Sequence, residues 1–317
     1  MPNLNSLFLK HNDNITLSST KKENLVTGRN AIRTKIKDDF KENSHGTPKF
    51  HMQGSFAMKT CTNPITGDEY DVDDGIYLEK YKDTDQSTWP AASTVHNWIY
   101  KAIEDHTDAD PVNKETCVRV VYAKNYHIDL PAYIIKDDII YLAKKKDGWK
   151  ESDPKAFTKW FVGKVQENDE QLRRIVKYLK GWRDSKDVDI KSIVITILVA
   201  ENYYKNKDRD DKALLGTVTN IIDTLENDFK CVKPVIPNED LLDNYDASDQ
   251  EKLIQAFTDL QAALDDAINK DDEEEASLIL IDAFDERFPK GEKKKENSSY
   301  VQTPKPAVLK NDGNKSA

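Results

Sequence analysis

The 317-residue chain has little cysteine, no long apolar run and no surplus of positive charge. Its three cysteines, Cys61, Cys117 and Cys231, form no Cys-x-x-Cys pair. That argues against a structural zinc site and against a disulfide framework, and it points to a reduced compartment. The longest mostly apolar run, residues 193–200, is well under half of the roughly 20 residues that cross a bilayer. No membrane span is expected. Residues 1–13 have neither the basic end nor the apolar stretch of a secretory signal, so a cytoplasmic location is expected. Lys and Arg number 47 against 57 Asp and Glu, a net charge of −10. A protein that coats DNA or RNA normally carries the opposite surplus. General nucleic-acid binding is therefore not expected, although the balance leaves room for one local basic groove.

What is present divides the chain into three stretches. Residues 19–43 carry Leu25, Ile32, Ile36 and Phe40 on one helical stripe, with Ser19 or Thr20 as the expected cap. Short β-rich runs follow at 70–78, 117–123, 126–135 and 138–143, with a helical pattern at 91–106 between them. Strands mixed with helices predict an α+β sheet domain over residues 1–152. From Asp153-Pro154, a helix-start signal, the pattern becomes wholly helical through residue 289. Leu172, Ile175, Val176, Leu179 and Trp182 mark one helix of this part. Further helices are predicted at 191–205, 211–228, 248–269 and about 274–287. Residues 290–317 hold seven lysines against three acids and few apolar groups, which predicts a disordered tail.

The chemistry concentrates in Gln53-Gly54-Ser55-Phe56 and in Asp71-Val72-Asp73. On a strand Asp71 and Asp73 share a face and Asp74 takes the other. Two carboxylates on one face repel unless a cation lies between them, and such pairs bind hard divalent ions. Asp129, in the later strand-like His127-Ile128-Asp129-Leu130, adds a third if the two strands are neighbours. Three carboxylates suffice for two Mg²⁺ ions, one activating an attacking hydroxyl and one neutralising a leaving pyrophosphate. Gly54 allows close backbone approach to a phosphate, and Ser55 supplies a hydroxyl donor. Asp74 reads as a structural residue before Gly75. His127 reads as a packed neighbour of the triad, Lys144, Lys145 and Lys146 as a solvated loop, and Trp98, Trp160 and Trp182 as helix packing.

The order Gly-Ser, Asp-x-Asp and strand Asp resembles that of the polymerase-β-like nucleotidyltransferases. The wording QGSF, EYDVDDGIYL, HIDLPAY and LKGWRD is similar to that of the bacterial cGAS/DncV-like members, over roughly residues 48–200. The resemblance implies two lobes that clasp nucleoside triphosphates. It also implies a cyclic di- or trinucleotide product that signals in antiphage defence through a separate effector. It places two Mg²⁺ ions on Asp71, Asp73 and Asp129, and the donor triphosphate on Gln53, Gly54 and Ser55. Lys180 and Ser192 match the polar pair that reaches that triphosphate from the helical lobe; Ser192 also reads as a helix N-cap. Arg119 lies near a family arginine on the penultimate strand and is thereby placed among the nucleotide-binding residues. Met58 stands where relatives carry a different side chain. Two rivals remain open: transfer to another acceptor with a linear product, and a catalytically silent relative that keeps the fold. Some members of the resembled family are joined through their C-terminus to a target amine by a ubiquitin-transfer-like partner. The small residues ending at Ala317 would suit such a reaction.

Overall fold

The structure is a computed structural model and describes residues 3–65 and 69–293. Most of the expected tail, Ala317 included, lies outside the described residues. Lys290 and Gly291 lie within them. Lys290 pairs with Glu274 at 2.7 Å, and the Gly291 N–H donates to Ser277 Oγ at 2.8 Å.

The β-rich runs form one eight-stranded mixed sheet. Its strands are β1 (Lys49–Gln53), β2 (Tyr70–Tyr77), β3 (Val112–Asn113), β4 (Val118–Tyr122), β5 (Tyr126–Leu130), β6 (Ala132–Lys136), β7 (Ile139–Lys144) and β8 (Gly148–Glu151). Their order is β3-β4-β5-β2-β6-β7-β8, with β1 also on β2. The run expected as a single strand over 126–135 is interrupted at Pro131, which has no N–H to give a ladder. The register nevertheless carries through: Tyr70 faces Tyr126 and Ile76 faces Ala132, both parallel. The Pro131 carbonyl still accepts from Ile76 N–H at 2.8 Å. β2 therefore lies between this interrupted strand and the antiparallel β1, the central position in which side chains are best fixed.

Helix α1 (Asn5–Ile15) precedes α2 (Ser19–Glu42), the stripe expected at 19–43. The α2 cap is Ser18, whose hydroxyl accepts from Lys21 N–H at 3.3 Å, one residue before the expected Ser19. Leu25, Ile32, Ile36 and Phe40 are buried as the spacing required, and so is Gly28. A Cβ on Gly28 would lie 2.9 Å from the Tyr122 hydroxyl, so only glycine lets the helix lie this close to the sheet. After α3 (Gly54–Met58) and α4 (Ala92–Ile103) come α5 (Pro154–Asn168), α6 (Gln171–Lys186), α7 (Ser192–Asn202), α8 (Asp210–Asn227), α9 (Ala247–Asn269) and α10 (Glu273–Phe284). Asp153 caps α5, its carboxylate accepting from Ala156 N–H at 2.8 Å.

The apolar residues pack into two main cores. One joins the sheet to α2 and α4 through Leu25, Ile32, Val72, Val95, Ile99 and Ile128. The other is helical, centred on Ile175, Leu179, Val199, Leu214 and Phe257. Leu4, Leu7, Phe8 and Ile15 belong to the helical core although they begin the chain. The Tyr178 hydroxyl on α6 lies 2.8 Å from two acceptors, Phe8 O and the buried Asp210 carboxylate. No helix among the described residues is long and apolar enough to cross a membrane.

Candidate active site

The turn from β1 into α3 is built around one backbone requirement. Gly54 adopts φ +63, in the left-handed region that glycine enters without strain. Because β1 pairs antiparallel with β2, Gln53 faces Asp73 across the ladder. A Cβ on Gly54 would then stand 2.3 Å from Asp73 Oδ2. Glycine here leaves room for that carboxylate and bares the backbone beside it. The next residue, Ser55, has its Oγ 3.2 Å from Cys61 Sγ. The Gln53 amide donates to the Tyr133 hydroxyl at 2.8 Å, while its buried Oε1 has no partner among the described residues.

Strand alternation separates the acids as expected. Asp71 and Asp73 remain partly exposed, whereas Asp74 is fully buried and held by Arg33 Nε at 2.6 Å. Asp74 is thus structural, although Gly75 beside it continues the strand rather than bending it. Asp129 does lie beside Asp73, in parallel register. Burial first, then Asp71 and Asp129, push the Asp73 carboxyl up to about 7, against the opposing pull of Arg119. Three acids crowded in this way, all oxygen donors, suit a hard divalent cation, whose charge would restore Asp73 to its ionised form.

As the side chains stand, however, no group of three such ligands closes among the described residues. Arg119 faces Asp129 across β4 and β5. Its Nε and Nη2 hold the two carboxylate oxygens at 2.7 and 2.8 Å. Arg119, expected among the nucleotide-binding residues, is here the partner of the third acid. His127 is packed, its Nδ1 2.9 Å from Glu69 and its Nε2 4.0 Å from Asp71.

A cleft of about 470 Å³ opens between this edge of the sheet and the helices. Gln53, Gly54, Ser55, Asp71 and Asp73 line one side; Lys180, Arg183 and Ser192 line the other. Asp129 and Arg119 lie outside its lining. Met58 reaches the cleft wall but is itself buried in the helical core. Lys180 is only 3% exposed, and its Nζ donates to Thr60 O at 3.2 Å and to Thr60 Oγ1 at 3.3 Å. Burial lowers its ammonium to about 8. Ser192 opens α7 but does not cap it. The cap position is Lys191, and Ser192 Oγ instead accepts from Arg183 Nη1 at 2.7 Å. Lys177, on the same helix as Lys180, turns away to Thr16 Oγ1 at 2.8 Å. Thr60 and Cys61 were missed as site residues. They lie in a loop with no motif of their own, and only their nearness to Gly54-Ser55 in sequence could have flagged them.

Residues 48–133 match the family model of the nucleotidyltransferase domain described as cyclic GMP-AMP synthase DncV-like. The cyclic GMP-AMP synthase of Escherichia albertii is 26% identical over 214 residues, covering 64% of this chain and 47% of that protein. The c-di-GMP synthase of Roseivirga ehrenbergii is 23% identical over 264 residues, covering 72% and 69%. The chain thus spans about half the length of the first of these relatives. A mutant of the Vibrio cholerae di-nucleotide cyclase DncV, solved in complex with ATP and GTP, superposes with a TM-score of 0.79 at 20% identity, covering 90% of this chain and 97% of that one. DncV in complex with the linear intermediate 5′ pppA(3′,5′)pG gives a TM-score of 0.74, also at 20% identity, covering 87% and 93%. At such identity the likeness speaks for the fold. Sequence match and fold agree: residues 48–133 are similar to the nucleotidyltransferase domain of the bacterial cGAS/DncV-like type, and the α+β fold of the described residues is similar to that of DncV.

Proposed function

We propose that the chain joins nucleoside triphosphates into a cyclic di- or trinucleotide and releases pyrophosphate. The observation that carries this reading is the cleft itself. It sets two carboxylates and a Gly-Ser turn from the sheet side against a lysine, an arginine and a serine from the helical side. The two cores are read as two lobes, the sheet with α2 and α4 against the helices after residue 152 with α1 packed among them, so that a triphosphate in the cleft touches both. Relatives named cyclic GMP-AMP synthase and c-di-GMP synthase support the choice of product class.

The chain's own residues bind and orient. The Gly54-Ser55 backbone and the Ser55 hydroxyl donate to phosphate oxygens. Lys180 acts as a point charge on the same phosphates. Arg183 and Ser192, already bonded to each other, offer further donors from the helical side. Asp71, Asp73 and Asp129 would hold two Mg²⁺ ions, which would supply charge for the attacking hydroxyl and the leaving pyrophosphate. Asp129, held by Arg119 in the structure, would be the third of these ligands. The family resemblance supports an antiphage signalling role with a separate effector, and a cytoplasmic site of action.

The test is incubation with all four nucleoside triphosphates and Mg²⁺, then phosphatase treatment and mass spectrometry. Phosphatase-resistant cyclic species are expected; linear species, or products joined to another acceptor, would overturn the reading. Asp71→Asn combined with Asp73→Asn should abolish product and leave the melting temperature near that of the wild type. The amide keeps the shape but loses the charge, and metal stabilisation of such transfers is worth several kcal/mol. A folded double variant with full activity would refute the carboxylate assignment.

A further inference from the structure

We infer that Thr60 is a positioning residue that holds the Lys180 ammonium at the phosphate end of the cleft and thereby sets triphosphate affinity. This rests on the proposed reading of the cleft. None of the ion pairs among the described residues involves Lys180. A buried ammonium without a carboxylate needs oxygen acceptors, and Thr60 supplies two, its carbonyl and its hydroxyl. An ammonium has three donors, so one is left for a phosphate oxygen.

Thr60 is itself fixed. It is fully buried, and its N–H donates to Ser55 O at 2.9 Å. Lys59 before it adopts the left-handed conformation that ends α3. Arg173, on the same helix as Lys180, donates through Nε to Met58 O at 2.9 Å. One short turn therefore joins the Gly54-Ser55 loop to α6, and Thr60 is the point where it meets the lysine.

ATP affinity, measured by calorimetry, tests the inference. Thr60→Val keeps the shape and the carbonyl and removes only the hydroxyl, so it should weaken ATP about fivefold, one hydrogen bond's worth. Thr60→Ser should return affinity to within about twofold. In a Lys180→Ala background Thr60→Val should change nothing further, because the hydroxyl acts through the lysine. Equal losses in both backgrounds, or no loss in the wild type, would overturn the assignment.

A second measurement needs no nucleotide: titration of the Lys180 side chain by NMR. Cys61, Arg183, Asp71 and Asp184 are the titratable or charged groups that act on it. Losing an acceptor disfavours the charged form, so Thr60→Val should move the midpoint below the wild-type value and Thr60→Ser should restore it. An unmoved midpoint refutes the link. If the wild type binds no ATP, the cleft reading fails, and the midpoint alone decides whether Thr60 holds Lys180.

Discussion

At Lys180 the ammonium is 3% exposed and is held by two oxygens of Thr60. Burial lowers its pKa from the ordinary 10.5 to about 8. A lysine with a lowered folded-state pKa costs stability while it is charged. The cost is full below about 8 and fades as pH rises from there toward 10.5. Lys180→Met removes the charge and keeps the length. It is expected to raise stability near pH 7 by about 1–3 kcal/mol and to abolish the rise in melting temperature across that pH window. The same variant should lose most of its ATP affinity, a trade common at functional sites. Thermal melts at several pH values check the stability arm, and a lower melting temperature at pH 7 would count against the desolvated-lysine picture. Gly54 is a second residue fixed by geometry rather than by chemistry of its own. Its positive φ and the 2.3 Å approach of Asp73 leave space only for hydrogen.

Among the elements, α1 is the one whose place was least evident. Its eleven residues include Leu7, Phe8 and Ile15, buried against helices that follow some 160 residues later. Phe8 packs edge-on against Tyr178 and Phe288, with ring centroids 5.3 and 5.1 Å away. Phe8→Ala should therefore destabilise the helical core by about 3–5 kcal/mol, the usual cost of removing a buried aromatic ring. Denaturant unfolding followed by tryptophan fluorescence would show it, since Trp182 lies in that core. A change under about 1 kcal/mol would mean that α1 is only loosely attached. Strands β1, β3 and β8 also escaped the sequence reading. Two are very short, and the residues of β1 are mostly exposed, so none carries a clear alternation of buried and exposed positions.

For the whole molecule, the cleft between the two cores means that one ligand can contact both. A nucleotide that binds only the folded form adds stability by mass action, about 2.7 kcal/mol at roughly 100 times Kd. ATP should accordingly raise the melting temperature, and by more in the wild type than in Lys180→Ala. Equal shifts in the two proteins would place the nucleotide elsewhere.

The sequence by itself determined the α+β character, the stripe of α2, the helix start at Asp153-Pro154 and the way the acids of β2 divide between two faces. These are local properties: strand alternation separates Asp71 and Asp73 from Asp74 whatever the partners, and helical spacing selects Leu172, Ile175 and Leu179. The parallel pairing of β2 with β5 decided that Asp129 stands beside Asp73, and the antiparallel β4 decided that Arg119 holds it. Docking of the turn after α3 against α6 decided that Lys180 is buried on Thr60 rather than solvated on a surface. Such contacts join residues 10 to 120 positions apart. They are set by which faces pack together, and no local pattern of side chains encodes them.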